Sequence, residues 1–386
     1  MPHNFNAVYD RTPSESAKWH THPPDVLPMF VADMDFRSPE PVIRALHERV
    51  EHGFFGYGKE QPEFFEVVCA RLAQRYGWVV EPGAIVLLPG VISSFNLAVK
   101  EFTAPGDGVL MHAPTYEPIL RCPGNYGLER HEALLPPGPG GRYRCDSASF
   151  QSAITSHTRV FLLCNPHNPT GRVFTRGELA AMAGVCLDRE ILIVSDEIHC
   201  DLVYPGHEHV PVATLSPEIE ARTITLMAPS KTFNLPGLKT SIAIIPNQEL
   251  RERFVAARGD LVKAVNILGY TATLAAYRDC DGWLAELLGY LQGNRDYLSR
   301  YVSSELPGIR LEPPEGTYLA WLDCRDLVPA KDDPYRFFLD RAKVGLSDGA
   351  SFGEHGRGFV RLNFACPRSM LEEGLARMAR AIRGLN

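Results

Sequence analysis

The sequence predicts an α/β protein with two unequal lobes: a large domain built on a mostly parallel sheet flanked by helices, and a smaller α+β domain. Three observations carry this. Short runs that are apolar throughout alternate with helical patterns along the middle of the chain, the rhythm of βα units. At 386 residues the chain is too long for one small domain and long enough for a large core with an attached lobe. Beyond about residue 283 the alternation gives way to a long helical stretch and then isolated strand-like strings. The expected division is 1–45 as an N-terminal arm and part of the smaller domain, 46–282 as the large domain, and 283–386 as the rest of the smaller one.

Taken in order, the chain opens irregularly and reads as a helix from Pro41 to Gly53. Six apolar runs come next: Ile85–Leu88, Val109–Met111, Val160–Leu163, Ile191–Val194, Thr223–Leu226 and Ile242–Ile245. Being apolar on both faces, they suit strands covered by helices on each side. From about Trp283 a helical stretch leads to Glu315–Trp321, then to Phe359–Phe364, and a final helix starts near Ser369. The proline-glycine patch Pro136–Gly141 reads as a surface turn.

Composition narrows the function. Hydrophobic residues at 45% and charged residues at 22% are ordinary for a soluble globular enzyme. A net charge of −7 with no long basic run gives no attraction for nucleic acid. No leader-like segment and no window of about 18 apolar residues is present, so no membrane association and a cytoplasmic location are expected. Nine cysteines without a Cys-x-x-Cys pair argue against a disulfide framework or zinc ribbon. Cys164 and Cys200 read as small buried hydrophobes.

Ligands of open parallel sheets sit beyond the carboxyl ends of the strands, so the residues just after each run matter most. After Leu88 come Pro89, Gly90, Val91 and Ile92, a glycine turn opening a helix; its amides suit a phosphate, or it is an ordinary helix start. After Met111 comes Ala113-Pro114-Thr115-Tyr116, where Tyr116 is either an aromatic face for a flat heterocycle or a core residue. Asn165-Pro166-His167-Asn168-Pro169-Thr170-Gly171 is a proline-stiffened turn that can aim the Asn168 amide at a ligand. Val194-Ser195-Asp196-Glu197-Ile198-His199 places carboxylates and an imidazole at a strand end. There Asp196 pairs with a ring nitrogen or caps the next helix. A metal site there has no second ligand cluster, since His20/His22 and His207/His209 lie in irregular segments, and none is expected. Finally, Ala228-Pro229-Ser230-Lys231 puts a lysine among apolar neighbours at a strand end. It is a nucleophile, half of a Ser-Lys dyad, or an ordinary surface lysine.

Together and in this order, these segments resemble the aspartate aminotransferase superfamily of pyridoxal 5'-phosphate (PLP) enzymes, fold type I, over essentially the whole chain. The resemblance implies a seven-stranded sheet, with residues 46–282 as the PLP-binding domain. It makes Lys231 the Schiff-base lysine, Asp196 the partner of the pyridine nitrogen, Asn168 a donor to the ring hydroxyl and Tyr116 the stacking aromatic. Gly90, Val91, Ile92 and Ser230 would hold the phosphate, and Arg361 the substrate carboxylate. Within that superfamily the strings Val31–Phe36, Gly56-Tyr57-Gly58, Ser195–His199, Ser230–Asn234 and Leu362–Arg368 resemble the cystathionine β-lyase-like carbon-sulfur lyases. His199 stands where many aminotransferases have tyrosine, and Lys239 is the nearest candidate for a phosphate-gripping arginine of many relatives. Tyr57 would reach the neighbouring subunit's phosphate in a homodimer, and Asp35 and Tyr318 are further substrate contacts.

The implied reaction starts from an L-amino acid. Lys231 removes its Cα proton, and a sulfur leaving group on Cβ departs as thiolate, leaving pyruvate and ammonia after hydrolysis; L-cystathionine would yield homocysteine. Without a leaving group the same residues support transamination, and a protein that modulates a transcription regulator is a third reading.

Overall fold

The computed structural model describes residues 3–138, 141–259, 262, 264–330 and 333–384, so Pro139 and Gly140 of the expected surface turn lie outside the described residues. After a short N-terminal strand, β1 (Leu27–Pro28), the chain builds a seven-stranded sheet from β2 (Ile85–Leu88), β3 (Gly108–Ala113), β4 (Glu129–Leu134), β5 (Thr158–Cys164), β6 (Leu192–Asp196), β7 (Thr223–Met227) and β8 (Ser241–Ile244). The spatial order is β2-β8-β7-β6-β5-β3-β4. Strand β8 runs antiparallel to its two neighbours, and the other pairings are parallel. Residues of β2, β3, β6, β7 and β8 are buried on both faces, which is why they read as unbroken apolar runs. The edge strand β4 escapes that pattern: its inner residues alternate between buried and more exposed.

A second sheet is antiparallel and consists of β9 (Arg310–Leu311), β10 (Leu319–Asp323), β12 (Ser347–Asp348) and β13 (Phe359–Asn363), in the order β12-β13-β10-β9. Helices Asp281–Glu305 and Arg368–Ile382 pack with it. A further strand, β11 (Val344–Gly345), pairs in parallel with β1 in a separate two-stranded sheet.

The segment after β1 is held by both lobes. Asn363 at the end of β13 donates through Nδ2 to the Val31 and Asp33 carbonyls, at 2.7 and 2.9 Å. Asn234, three residues past Lys231, donates to the carbonyls of Met34 and Phe36 and accepts from the Met34 amide. These two amide side chains draw residues 31–36 across the carboxyl ends of the large sheet, where Lys231, Asp196 and Asn168 also emerge.

Candidate active site

A cavity of about 520 Å³ opens there, lined by the residues after β2, β3, β5, β6 and β7, by Val31 and Ala32, and by Arg361 of β13. Lys231 sits in the single helical turn Pro229–Thr232 that β7 runs into. Its Nζ donates to the Ala32 carbonyl at 2.8 Å. Burial pushes its pKa down to about 8, aided by Arg361 and opposed by Asp33 and Asp196.

Asp196 is the last residue of β6 and is buried. Its carboxylate accepts from the Ile198 amide at 3.1 Å, and among the described residues it is in no ion pair. Burial raises its pKa to about 7, opposed by that amide and by Lys231. Arg361 is the mirror case. Its guanidinium is buried and, among the described residues, donates to neutral oxygens: Asn168 Oδ1 at 2.9 Å, the Phe30 carbonyl at 3.1 Å and Ser347 Oγ at 3.1 Å. Its Nε has no partner among those residues, and burial lowers its pKa to about 10.

Asn168 and Tyr116 also line the cavity. Tyr116 precedes the helix Glu117–Arg121, and burial raises its phenol pKa. His199 lines the cavity too, its Nδ1 without a partner among the described residues; burial, Lys231 and Arg361 lower its pKa to about 3, so the ring is neutral. Cys164 also lines the cavity, a buried thiol whose pKa burial raises.

The glycine turn in the lining suits an anion. Gly90 has φ +133°, a conformation that glycine reaches freely, and turns the chain from β2 into the helix Val91–Phe102. The Ser94 amide is the first to find the Gly90 carbonyl, so the amides of Val91, Ile92 and Ser93 have no acceptor within the helix. Gly90 differs from expectation: its amide donates to Ser241 Oγ at 3.2 Å, leaving the next three amides as the freer donors. Ser230, Lys239 and Thr240 line the same cavity. Lys239 holds its place from a left-handed conformation, φ +49°.

A flat cationic heterocycle bearing a phosphate and an oxygen substituent matches this donor set. Among the described residues Asp196 has no paired cation, the helix start has no paired anion, and His199 Nδ1 has no hydrogen-bond partner. The residues present therefore fit PLP.

The profile of the family described as "Aminotransferase class I and II" matches residues 24–378. The chain belongs to that family. Cystathionine beta-lyase PatB of Bacillus subtilis is 37% identical over 387 residues, an alignment that spans 98% of this chain and 100% of that one. Cystalysin from Treponema denticola, whose crystal structure contains PLP, matches with TM-score 0.96 and 32% identity over 100% of both chains. The structure of OvoB matches with TM-score 0.94 and 42% identity over 98% of this chain and 99% of that one. The α/β fold of this family member is therefore the one expected from its sequence.

Three expected site residues lie apart from the cavity walls of this aminotransferase-family chain. Asp35 is a correction: it is buried beside Lys18 Nζ at 2.6 Å, Arg11 Nη1 at 3.1 Å and the Trp19 indole at 3.1 Å, so its oxygens are already satisfied. Tyr318 is buried behind Ala32, donating to its carbonyl at 3.2 Å. Tyr57 is fully exposed. Sequence reasoning missed the acceptors Ala32, Phe30 and Ser347, two of which act through main-chain carbonyls and carry no side-chain signal. Among the described residues no group of three metal-ligating side chains forms, and no helix is long and apolar enough to cross a membrane.

Proposed function

We propose that the protein is a PLP-dependent carbon-sulfur β-lyase that cleaves L-cystathionine or a related S-conjugate of L-cysteine to a thiol, pyruvate and ammonia. One observation carries the reading. A single cavity gathers an amine of lowered pKa, a buried carboxylate and a buried guanidinium, neither of the last two ion-paired among the described residues. The 37% identity to cystathionine beta-lyase PatB supports the reaction class.

PLP, when bound, supplies an electron sink for the negative charge left at the substrate Cα. Lys231 would hold it and serve as the base that takes the Cα proton, a task suited to an amine whose pKa lies near 8. Asp196 would keep its carboxylate against the cationic ring nitrogen. The amides of Val91, Ile92 and Ser93, with Ser230 and Lys239, would hold the phosphate, and Tyr116 would cover the ring face. Asn168 and His199 would face the ring hydroxyl. Arg361 would grip the α-carboxylate through its planar fork, orienting the Cα–H bond toward Lys231. For L-cystathionine the balance is one water consumed and one homocysteine, one pyruvate and one ammonia released.

The test is to incubate the PLP-loaded protein with L-cystathionine and no keto acid, following pyruvate and free thiol. Equal amounts of both support the lyase reading. Conversion of the cofactor to its amine form without pyruvate, reversed by a keto acid, makes the protein an aminotransferase.

The working unit is a homodimer in this reading, because residues 53–61 carry Phe54, Phe55 and Tyr57 exposed in one subunit, and a second copy would cover them. Sedimentation as a monomer at full PLP occupancy would exclude this. A cytoplasmic location agrees with nine free cysteines.

A further inference from the structure

The chain carries two strings, Val31–Phe36 and Leu362–Arg368, that lie far apart in sequence and meet above Lys231. The Asp33 amide donates to the Val31 carbonyl at 2.8 Å, a three-residue turn centred on Ala32. The Asp33 N–H and the Ala32 carbonyl share one trans peptide plane and point in opposite directions. Since the N–H faces into the turn, the carbonyl faces out, toward Lys231 Nζ at 2.8 Å and the Tyr318 hydroxyl at 3.2 Å.

Asn363 holds this turn from the other side. Its Nδ2 donates to the carbonyls on both sides of Ala32, at 2.7 and 2.9 Å, and its Oδ1 accepts from the Ala365 amide at 2.8 Å. It is buried, and it lies two residues after Arg361 on β13. One strand thus supplies both the carboxylate grip and the clamp on the turn.

We propose that Asn363 is a positioning residue for Lys231: by fixing the turn at residues 31–33 it aims the Ala32 carbonyl at the lysine amine whenever that amine is free. A neutral amine has two N–H bonds and one lone pair. Donation of one N–H to a fixed acceptor sets the direction of the lone pair, which a base needs in order to meet a Cα proton. The inference rests on Lys231 being the reactive amine of the proposed function, and it applies equally to elimination and to transamination.

The experiment uses the full-length protein freed of PLP. The pH dependence of acetylation by acetic anhydride is read at Lys231 by peptide mass spectrometry, with exposed Lys100 as internal reference. The charged groups that face Lys231 are Arg361, Asp33, Asp196 and Lys239, and the variants keep all four. In Asn363→Ala the released carbonyl no longer favours the ammonium form, so the Lys231 profile shifts about one pH unit lower while Lys100 stays put. After PLP loading, kcat falls about tenfold with KM retained. An unchanged Lys231 profile in a folded Asn363→Ala protein overturns the proposal. Tyr318→Phe removes the competing donor at Ala32 and shifts the profile upward; if Asn363→Ala does not fold, this variant decides, and no shift overturns the proposal. Absence of thiol release by the wild type would defeat the lyase reading and leave the labelling result standing.

Discussion

Two sets of buried charges in this chain are built on opposite plans. Asp201 sits behind the lysine turn with Arg71 Nη2 at 2.9 Å, Arg75 Nε at 2.8 Å, the Tyr76 hydroxyl at 3.0 Å and the Thr232 hydroxyl at 3.0 Å. Burial would raise its pKa, yet Arg71 and Arg75 hold it below the ordinary carboxylate value. In the cavity, Asp196 has one backbone amide and no ion-pair partner among the described residues, and the acceptors around Arg361 there are neutral. Their pKa values move toward the neutral forms, to about 7 and about 10. A buried charge whose counter-charge belongs to the chain is architecture, while one without it is a place for a ligand's charge.

Substitutions on the two sides of this comparison are expected to separate activity from stability. Lys231→Ala should lower thiol release by about 10⁴-fold, since it removes the base outright, while the unfolding midpoint of the PLP-free protein stays put or rises. Loss of stability without loss of turnover would break the comparison. Asp201→Asn should lower unfolding free energy by about 3–5 kcal/mol, because two guanidinium groups lose their shared anion in a buried site. In denaturant titrations that loss should appear while the folded fraction keeps far more activity than Lys231→Ala. The smallest effect is expected for Arg361→Lys: KM for L-cystathionine rises about tenfold or more as the bidentate fork is lost, with kcat less affected. Steady-state kinetics on both parameters checks it.

Much of this was legible in the sequence for a physical reason. Five of the seven strands of the large sheet are buried throughout and a sixth, Thr158–Cys164, everywhere but at Arg159, so they write largely apolar runs. The seventh, Glu129–Leu134, lies at the edge with alternating exposure, and its charged residues hid it. Lys231, Asp196 and Asn168 were findable because they come soon after such runs, and the sheet brings strand ends together. Asp35 was misplaced because a carboxylate's partners do not show in a linear string: Lys18 and Arg11, which satisfy it, lie 17 and 24 residues away. Ala32 could not be found at all, since its contribution is a main-chain oxygen aimed by a turn.

The contrast between paired and unpaired charges is tested most directly by unfolding free energy from pH 5 to 7.5, measured on PLP-free wild type and Asp196→Asn. In the folded protein Asp196 titrates near 7, against an ordinary value of 3.8. Between those values the folded state holds the extra proton, so this group makes stability fall as pH rises, the reverse of the Asp201 contribution, which is lost only as pH falls below the carboxylate range. The buried histidines His112, His167 and His199, whose pKa values burial lowers, add the opposite slope equally in both proteins, so the expected result lies in the difference: the stability of the wild type relative to Asp196→Asn declines as pH rises, with the variant the more stable protein at pH 7.5. The same pH dependence in both proteins would mean that Asp196 has its counter-charge within the chain, and would contradict the account.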